Sequence, residues 1–174
     1  MKKLNKISFT MQNAVYDEMP SPVGRLTIIT STAGLHAILW ENDQRHSYLH
    51  QLSRSKTDKI IIETKKQLNE YFSGQRKTFA LPIVFDGTDF QRQAWEQLQK
   101  IPFADTISYA EQAEKIGGKN KARAVGLANG LNPIPIVVPC HRVIGSNGRL
   151  TGFAGGLDRK AYLLNWEKQQ SVFA

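Results

Sequence analysis

The chain has 174 residues, 41% of them hydrophobic, which is enough apolar material for one domain or two small ones. Its single cysteine excludes an internal disulfide, and no apolar run is long enough to span a bilayer. The net charge of +8 fits either an anionic partner or a generally basic, well-solvated surface.

Met1-Lys2-Lys3 is basic but leads into no continuous apolar stretch. No secretory leader is expected, and a reducing cytoplasm is the expected compartment. The first half then reads as α/β. Val23 to Thr30 and Gly34 to Trp40 are strand-like, with Ser31-Thr32-Ala33 between them, which predicts a hairpin. Lys59 to Phe72 carries Ile61, Leu68, Tyr71 and Phe72 at helical spacing, and Gly74 ends it. Phe79, Leu81, Ile83 and Phe85 alternate as in a half-buried strand, with Pro82 pointing to an edge. His36, His46 and His50 have no cysteine near them at metal-ligand spacing and are expected to be packing or surface residues.

The second half turns helical, and the boundary is expected near Asp86-Gly87. Thr88-Asp89-Phe90-Gln91 is a capping box, followed by Phe90, Ala94, Leu98 and Ile101 on one face, and Pro102 ends the helix. Ser108-Tyr109-Ala110-Glu111 opens a second helix that stops at Gly117-Gly118. A third runs from about Asn120 to Asn129. Two short helices joined by glycines fit a helix-turn-helix, and equally a small bundle. In the third helix, Ala122, Ala124, Gly126 and Ala128 leave little bulk beside Arg123. A smooth face with one long cation suits a duplex, and small residues also suit tight helix packing. A last helix is expected near Asp158 to Lys168, after Gly155-Gly156.

The cysteine lies in Pro139-Cys140-His141-Arg142-Val143. A thiolate is the reactive form of cysteine, and an adjacent base makes it available near neutral pH. A buried structural thiol is the alternative. Between Glu114 and Asp158 there is no acid, while Lys115, Lys119, Lys121, Arg123, Arg142 and Arg149 are present, as phosphate binding requires. Ile134 to Val138 reads as a buried extended run that delivers Cys140 to a fixed position. In an extended backbone neighbouring side chains point apart, so a water bridge from Cys140 to His141 is expected rather than direct contact. His141 then needs a carboxylate, for which Glu167 is a candidate and a solvated helix residue the alternative.

Arg123-Ala124-Val125-Gly126, Asn132-Pro133, Pro139 to Ile144, Gly152-Phe153-Ala154-Gly155-Gly156, Lys160, Leu163-Leu164 and Glu167 together resemble the O6-alkylguanine-DNA alkyltransferases. The match holds in order and spacing over residues 106–167. The N-terminal half matches only in length and α/β character. The resemblance implies a ribonuclease-H-like α/β domain over 1–86, a small sheet plus helix. It implies a mostly helical, winged-helix-like domain with a helix-turn-helix over 87–174. It also implies that Cys140 accepts the alkyl group of O6-alkylguanine, and of O4-alkylthymine, in double-stranded DNA, irreversibly and without a cofactor. His141 and Glu167 would form the relay, Tyr109 would support the leaving guanine at N3, and Asn132 would brace the turn carrying Cys140. Arg123 would fill the gap of a flipped nucleotide, with Ala122, Ala124 and Gly126 forming the DNA face. Tyr109, Val143, Phe153 and Ala154 would line the base pocket, with backbone groups of Cys140, Val143 and Ala154 reading the guanine edge. Family members often carry Ser or Arg at the position of Ala154. No metal is expected, since the N-terminal half has no cysteine, and a monomer is expected.

Two other classes remain open on the residues alone. One is a non-catalytic module that binds alkyl lesions, against which Cys140 argues. The other is a helix-turn-helix regulator, for which the chain offers no dimerisation heptad.

Overall fold

The computed structural model describes residues 13–172, and Met1-Lys2-Lys3 lies outside the described residues. The chain divides between Asp86 and Gly87 into two compact units. No helix among the described residues is long and apolar enough to cross a membrane.

The first unit is a four-stranded sheet in the order β3-β2-β1-β4 with one helix. Strands β1 (Val15–Met19), β2 (Leu26–Ser31) and β3 (Gly34–Trp40) form an antiparallel meander, and the short β4 (Ser53–Arg54) lies parallel to β1. Every residue of β2 and β3 is buried, so both faces of the sheet are covered. On one face Ile29, Ala37 and Leu39 join Ala14, with Tyr16, Leu49 and Leu52 packed against them. Helix α1 (Lys59–Phe72) packs on the sheet through a buried stripe that includes Ile61, Leu68 and Tyr71. Its cap, Asp58, accepts from the backbone N–H of Ile60 and Ile61 and from the Thr30 hydroxyl, which ties the helix start to β2. Asp17 is buried in β1, yet Lys65 and Arg54 reach it from α1 and β4. Burial pushes its carboxyl up, but these two cations outweigh that and hold it at about 2.

The stretch around Ile83 forms only an isolated bridge to Leu35, not the strand its alternation predicts. Pro82 has no N–H and serves as acceptor alone, for Leu35 N–H at 2.7 Å. This close approach explains Gly34, whose absent Cβ would sit 2.3 Å from the Pro82 carbonyl oxygen. The histidines make local contacts: His36 with the Ser31 hydroxyl, His46 with that of Thr27, and His50 with the Ser47 carbonyl.

The second unit begins with α2 (Asp89–Leu98), whose capping box is formed in both directions by Thr88 and Gln91. Next come β5 (Ile107–Ser108) and α3 (Tyr109–Glu114), the latter capped the same way by Ser108 and Glu111. Helix α4 (Ala122–Gly130) follows a single 3-10 turn at Lys119–Lys121. Strand β6 (Val143–Ile144) pairs in parallel with β5, and α5 (Leu157–Val172) closes the unit. Helices α2, α3 and α4 pack mutually through Ala94, Trp95, Leu98, Ala113, Val125 and Ala128. Trp95 Nε1 donates to the Ala128 carbonyl at 2.9 Å. The side-chain amides of Gln112 and Asn129 bond each other at 2.7 and 3.2 Å, locking α3 to α4.

Candidate active site

The segment leading to the cysteine is buried but not extended. Asn132 closes it into a turn: Oδ1 accepts from Ile134 N–H at 3.0 Å and Nδ2 donates to the Val138 carbonyl at 2.8 Å. Val138 N–H bonds the Ile134 carbonyl, and Ile136 sits in the left-handed region at φ 74°. Pro133 and Pro135 disfavour a regular ladder here, and the Asn132 amide supplies the partners that a strand neighbour would have given. Cys140–Arg142 then forms one 3-10 turn, so the alternation expected of a strand does not apply to Cys140 and His141.

Cys140 is a free thiol, 7% exposed. Burial pushes it up to about 11, against the pull of the Asn132 amide and the Lys160 ammonium. It is therefore a thiol at neutral pH and reacts only as its proton leaves.

His141 and Glu167 are both fully buried, with His141 Nε2 2.8 Å from Glu167 Oε1. Arg142 donates from Nε to Oε2 at 3.0 Å and from Nη2 to Oε1 at 2.9 Å, and the Ala104 N–H adds a fourth bond to Oε2. The remaining Arg142 fork reaches the Ile101 carbonyl at 2.6 Å, and the guanidinium lies 5.7 Å from the Phe103 ring centre. Burial pushes the Glu167 carboxyl up, but hydrogen bonds and charge from His141 and Arg142 bring it to about 2. Burial lowers His141 despite the carboxylate beside it, so the ring is neutral at neutral pH. At neutral pH the full positive charge beside Glu167 is then that of Arg142. An ionised carboxylate only accepts, which assigns the proton to Nε2 and leaves Nδ1 an acceptor. Nδ1 is buried and has no partner.

Arg142 was expected among phosphate-binding cations. It is instead buried and committed to Glu167. Glu167, in turn, is the opposite of a solvated helix residue.

Tyr109, at the start of α3, donates to the Thr151 carbonyl at 2.8 Å, and burial raises its phenol. Lys160 had no role assigned from sequence. It is fully buried in α5, and its ammonium donates to the carbonyls of Val143 at 2.6 Å and Thr151 at 2.8 Å and to the Tyr109 oxygen at 3.4 Å. It thereby ties β6 and the glycine-rich loop to α3. In that loop Gly152 has φ 56°, and a Cβ there would lie 3.5 Å from the Tyr109 oxygen. Val143 is buried, Phe153 half-buried and Ala154 exposed. Arg123 and Ala124 are exposed on α4, while Ala122 and Gly126 are half-buried.

Fold and site together define a group-accepting protein: a buried thiol with a histidine–carboxylate pair, mounted beside a helix-turn-helix. Residues 89–169 match the model of the 6-O-methylguanine DNA methyltransferase DNA-binding domain, and residues 14–85 that of its ribonuclease-like domain. A methylated-DNA–protein-cysteine methyltransferase of Mycolicibacterium paratuberculosis is 45% identical over 159 residues, covering 90% of this chain and 93% of its own. The crystal structure of the Mycobacterium tuberculosis O6-methylguanine methyltransferase superposes with a TM-score of 0.83 at 40% identity, covering 92% of this chain and 99% of its own. A structure of the M. tuberculosis protein in complex with DNA gives 0.82 at 40% identity, covering 90% and 94%. The chain belongs to the 6-O-methylguanine DNA methyltransferase family. It repairs DNA by direct transfer of an alkyl group to a cysteine of its own chain.

Proposed function

We propose that this protein acts as a monomer in the cytoplasm on duplex DNA carrying O6-alkylguanine, and also O4-alkylthymine, with Cys140 as the acceptor. The observation that carries the reading is the buried, unpartnered Nδ1 of His141, the residue that follows Cys140 in sequence, with Nε2 held on an ionised Glu167.

The reacting carbon of an alkylated guanine is out of reach inside the stack, so the nucleotide must be extruded. Arg123 enters the gap, and Ala122, Ala124 and Gly126 keep the helix close to the duplex. The base enters between Tyr109, Val143, Phe153 and Ala154. The thiol proton passes through a bridging water to His141 Nδ1. The sulfur attacks the alkyl carbon in line, a C–S bond forms, and the C–O6 bond breaks with its electron pair passing to the purine. Tyr109 supports that charge by a hydrogen bond at N3, its hydroxyl turning away from the Thr151 carbonyl to make it, and Glu167 stabilises the new imidazolium. A thioether is left, which nothing in the chain can remove, so the reaction stops after one event. Titration with O6-methylguanine duplex tests this: transfer ends at one equivalent, and continued turnover contradicts it.

A further inference from the structure

Helix α4 buries Val125, Ala128 and Asn129 and turns Arg123 outward. Two large apolar side chains share the outward side. Leu127 is 64% exposed, and Leu131, the cap residue that ends the helix, is 48% exposed. Residues four apart lie one above the other on a helix, so Arg123, Leu127 and Leu131 make one continuous stripe. Scattered exposed leucines are ordinary, but two in line with a cation on a DNA-binding helix are not scattered.

We propose that α4 lies in the minor groove and that Leu127 and Leu131 form an apolar wedge there, extending the Arg123 finger along the groove. The proposal rests on the DNA reading of Arg123 given above. Leu127, one turn behind Arg123, bears on the base step beside the extruded nucleotide. Leu131 packs on the sugar wall of the groove. Apolar wedges of this kind pry base steps apart in minor-groove binders, and sugar C–H surface gives them something to bury against. A second copy of this chain is a poorer occupant. A two-fold contact would bring the acid-free stretch between Glu114 and Asp158 against itself, cation against cation.

The wedge predicts a part of DNA affinity that salt does not remove, because it releases no counterions. The test measures binding to a fluorescent undamaged duplex over a range of salt for wild type, Leu127→Ala, Leu131→Ala, the double variant and Leu127→Met. Each alanine variant should weaken binding by roughly threefold to thirtyfold at every salt concentration with the slope against salt unchanged. Leu127→Met should bind nearly as wild type. A base analogue placed beside the lesion should report less unstacking with Leu127→Ala. Alanine variants that bind and unstack as wild type overturn the wedge. So does a wild-type dimer in sedimentation that Leu127→Ala dissolves, which would make a second copy the occupant. Methyl transfer by wild type separates this from the parent reading: its absence sinks that reading, whereas transfer with unchanged variant binding sinks the wedge alone.

Discussion

Arg142 and Glu167 are joined by two hydrogen bonds, at 3.0 and 2.9 Å, with both side chains buried. The guanidinium balances a carboxylate that has lost its hydration. Its Nη2 shares Oε1 with His141 Nε2, so the guanidinium also fixes the oxygen that orients His141. On the mechanism proposed above, Arg142 acts on Cys140 through Glu167 and His141, as a positioning residue.

Removing one member of a buried pair strands the other. Arg142→Ala should lower unfolding free energy by about 3–5 kcal/mol in urea denaturation. Replacing both Arg142 and Glu167 by Met should recover much of that loss but not alkyl transfer. A single variant as stable as wild type would show that Glu167 needs no counter-charge.

Glu167→Gln keeps the shape but removes the charge that stabilises protonated His141. Single-turnover transfer should slow by about 10²–10⁴-fold, the range for a general-base partner, with DNA binding little changed. An unchanged rate would reduce Glu167 to a structural role.

The pairing of His141 with Glu167 was legible only through the order of motifs, because 26 residues separate them and no local pattern links them. Local rules served well where structure is local: both capping boxes and the limits of α1 follow from residues within one helical turn. They failed where a short segment depends on a distant partner. Arg142 looked like a phosphate ligand because nothing in its neighbourhood shows that a 3-10 turn folds it onto α5. Ile134 to Val138 has strand-like composition, yet Asn132 at its start decides for a turn. Strand β1 escaped notice because Asp17 and Glu18 spoil its apolar pattern, and Asp17 is buried only by virtue of Lys65 and Arg54. Strands β5 and β6 have two residues each, too few to carry a period.

Acid should destabilise the fold through three groups. Glu167 and Asp17 are held near 2, below their ordinary values of 4.5 and 3.8. Each contributes stability that is complete above its ordinary value and is lost as pH falls toward 2. His141 stays neutral below its ordinary 6.5 in the fold, so the unfolded chain takes up that proton first and stability also falls below 6.5. All three signs agree. Melting temperature should fall progressively from pH 7 to pH 3, and a flat profile would contradict the burial and pairing described here.

Arg123→Ala should separate access from chemistry. Extruding a base costs on the order of a few kcal/mol, so loss of the finger should slow repair of duplex O6-methylguanine markedly. The same variant should react with free O6-benzylguanine, which needs no extrusion, at close to the normal rate. Lysine at this position should rescue only in part, for want of the planar fork. Equal slowing on both substrates would place Arg123 in the pocket or the fold instead.

On the proposed mechanism the alkyl group ends on the sulfur of the one cysteine. Peptide mapping after incubation with O6-methylguanine duplex reads this directly, with Cys140→Ser as the paired sample. One methyl group is expected on the peptide containing Cys140 and none anywhere in Cys140→Ser. A methyl on another residue, or transfer that survives the loss of Cys140, would contradict it.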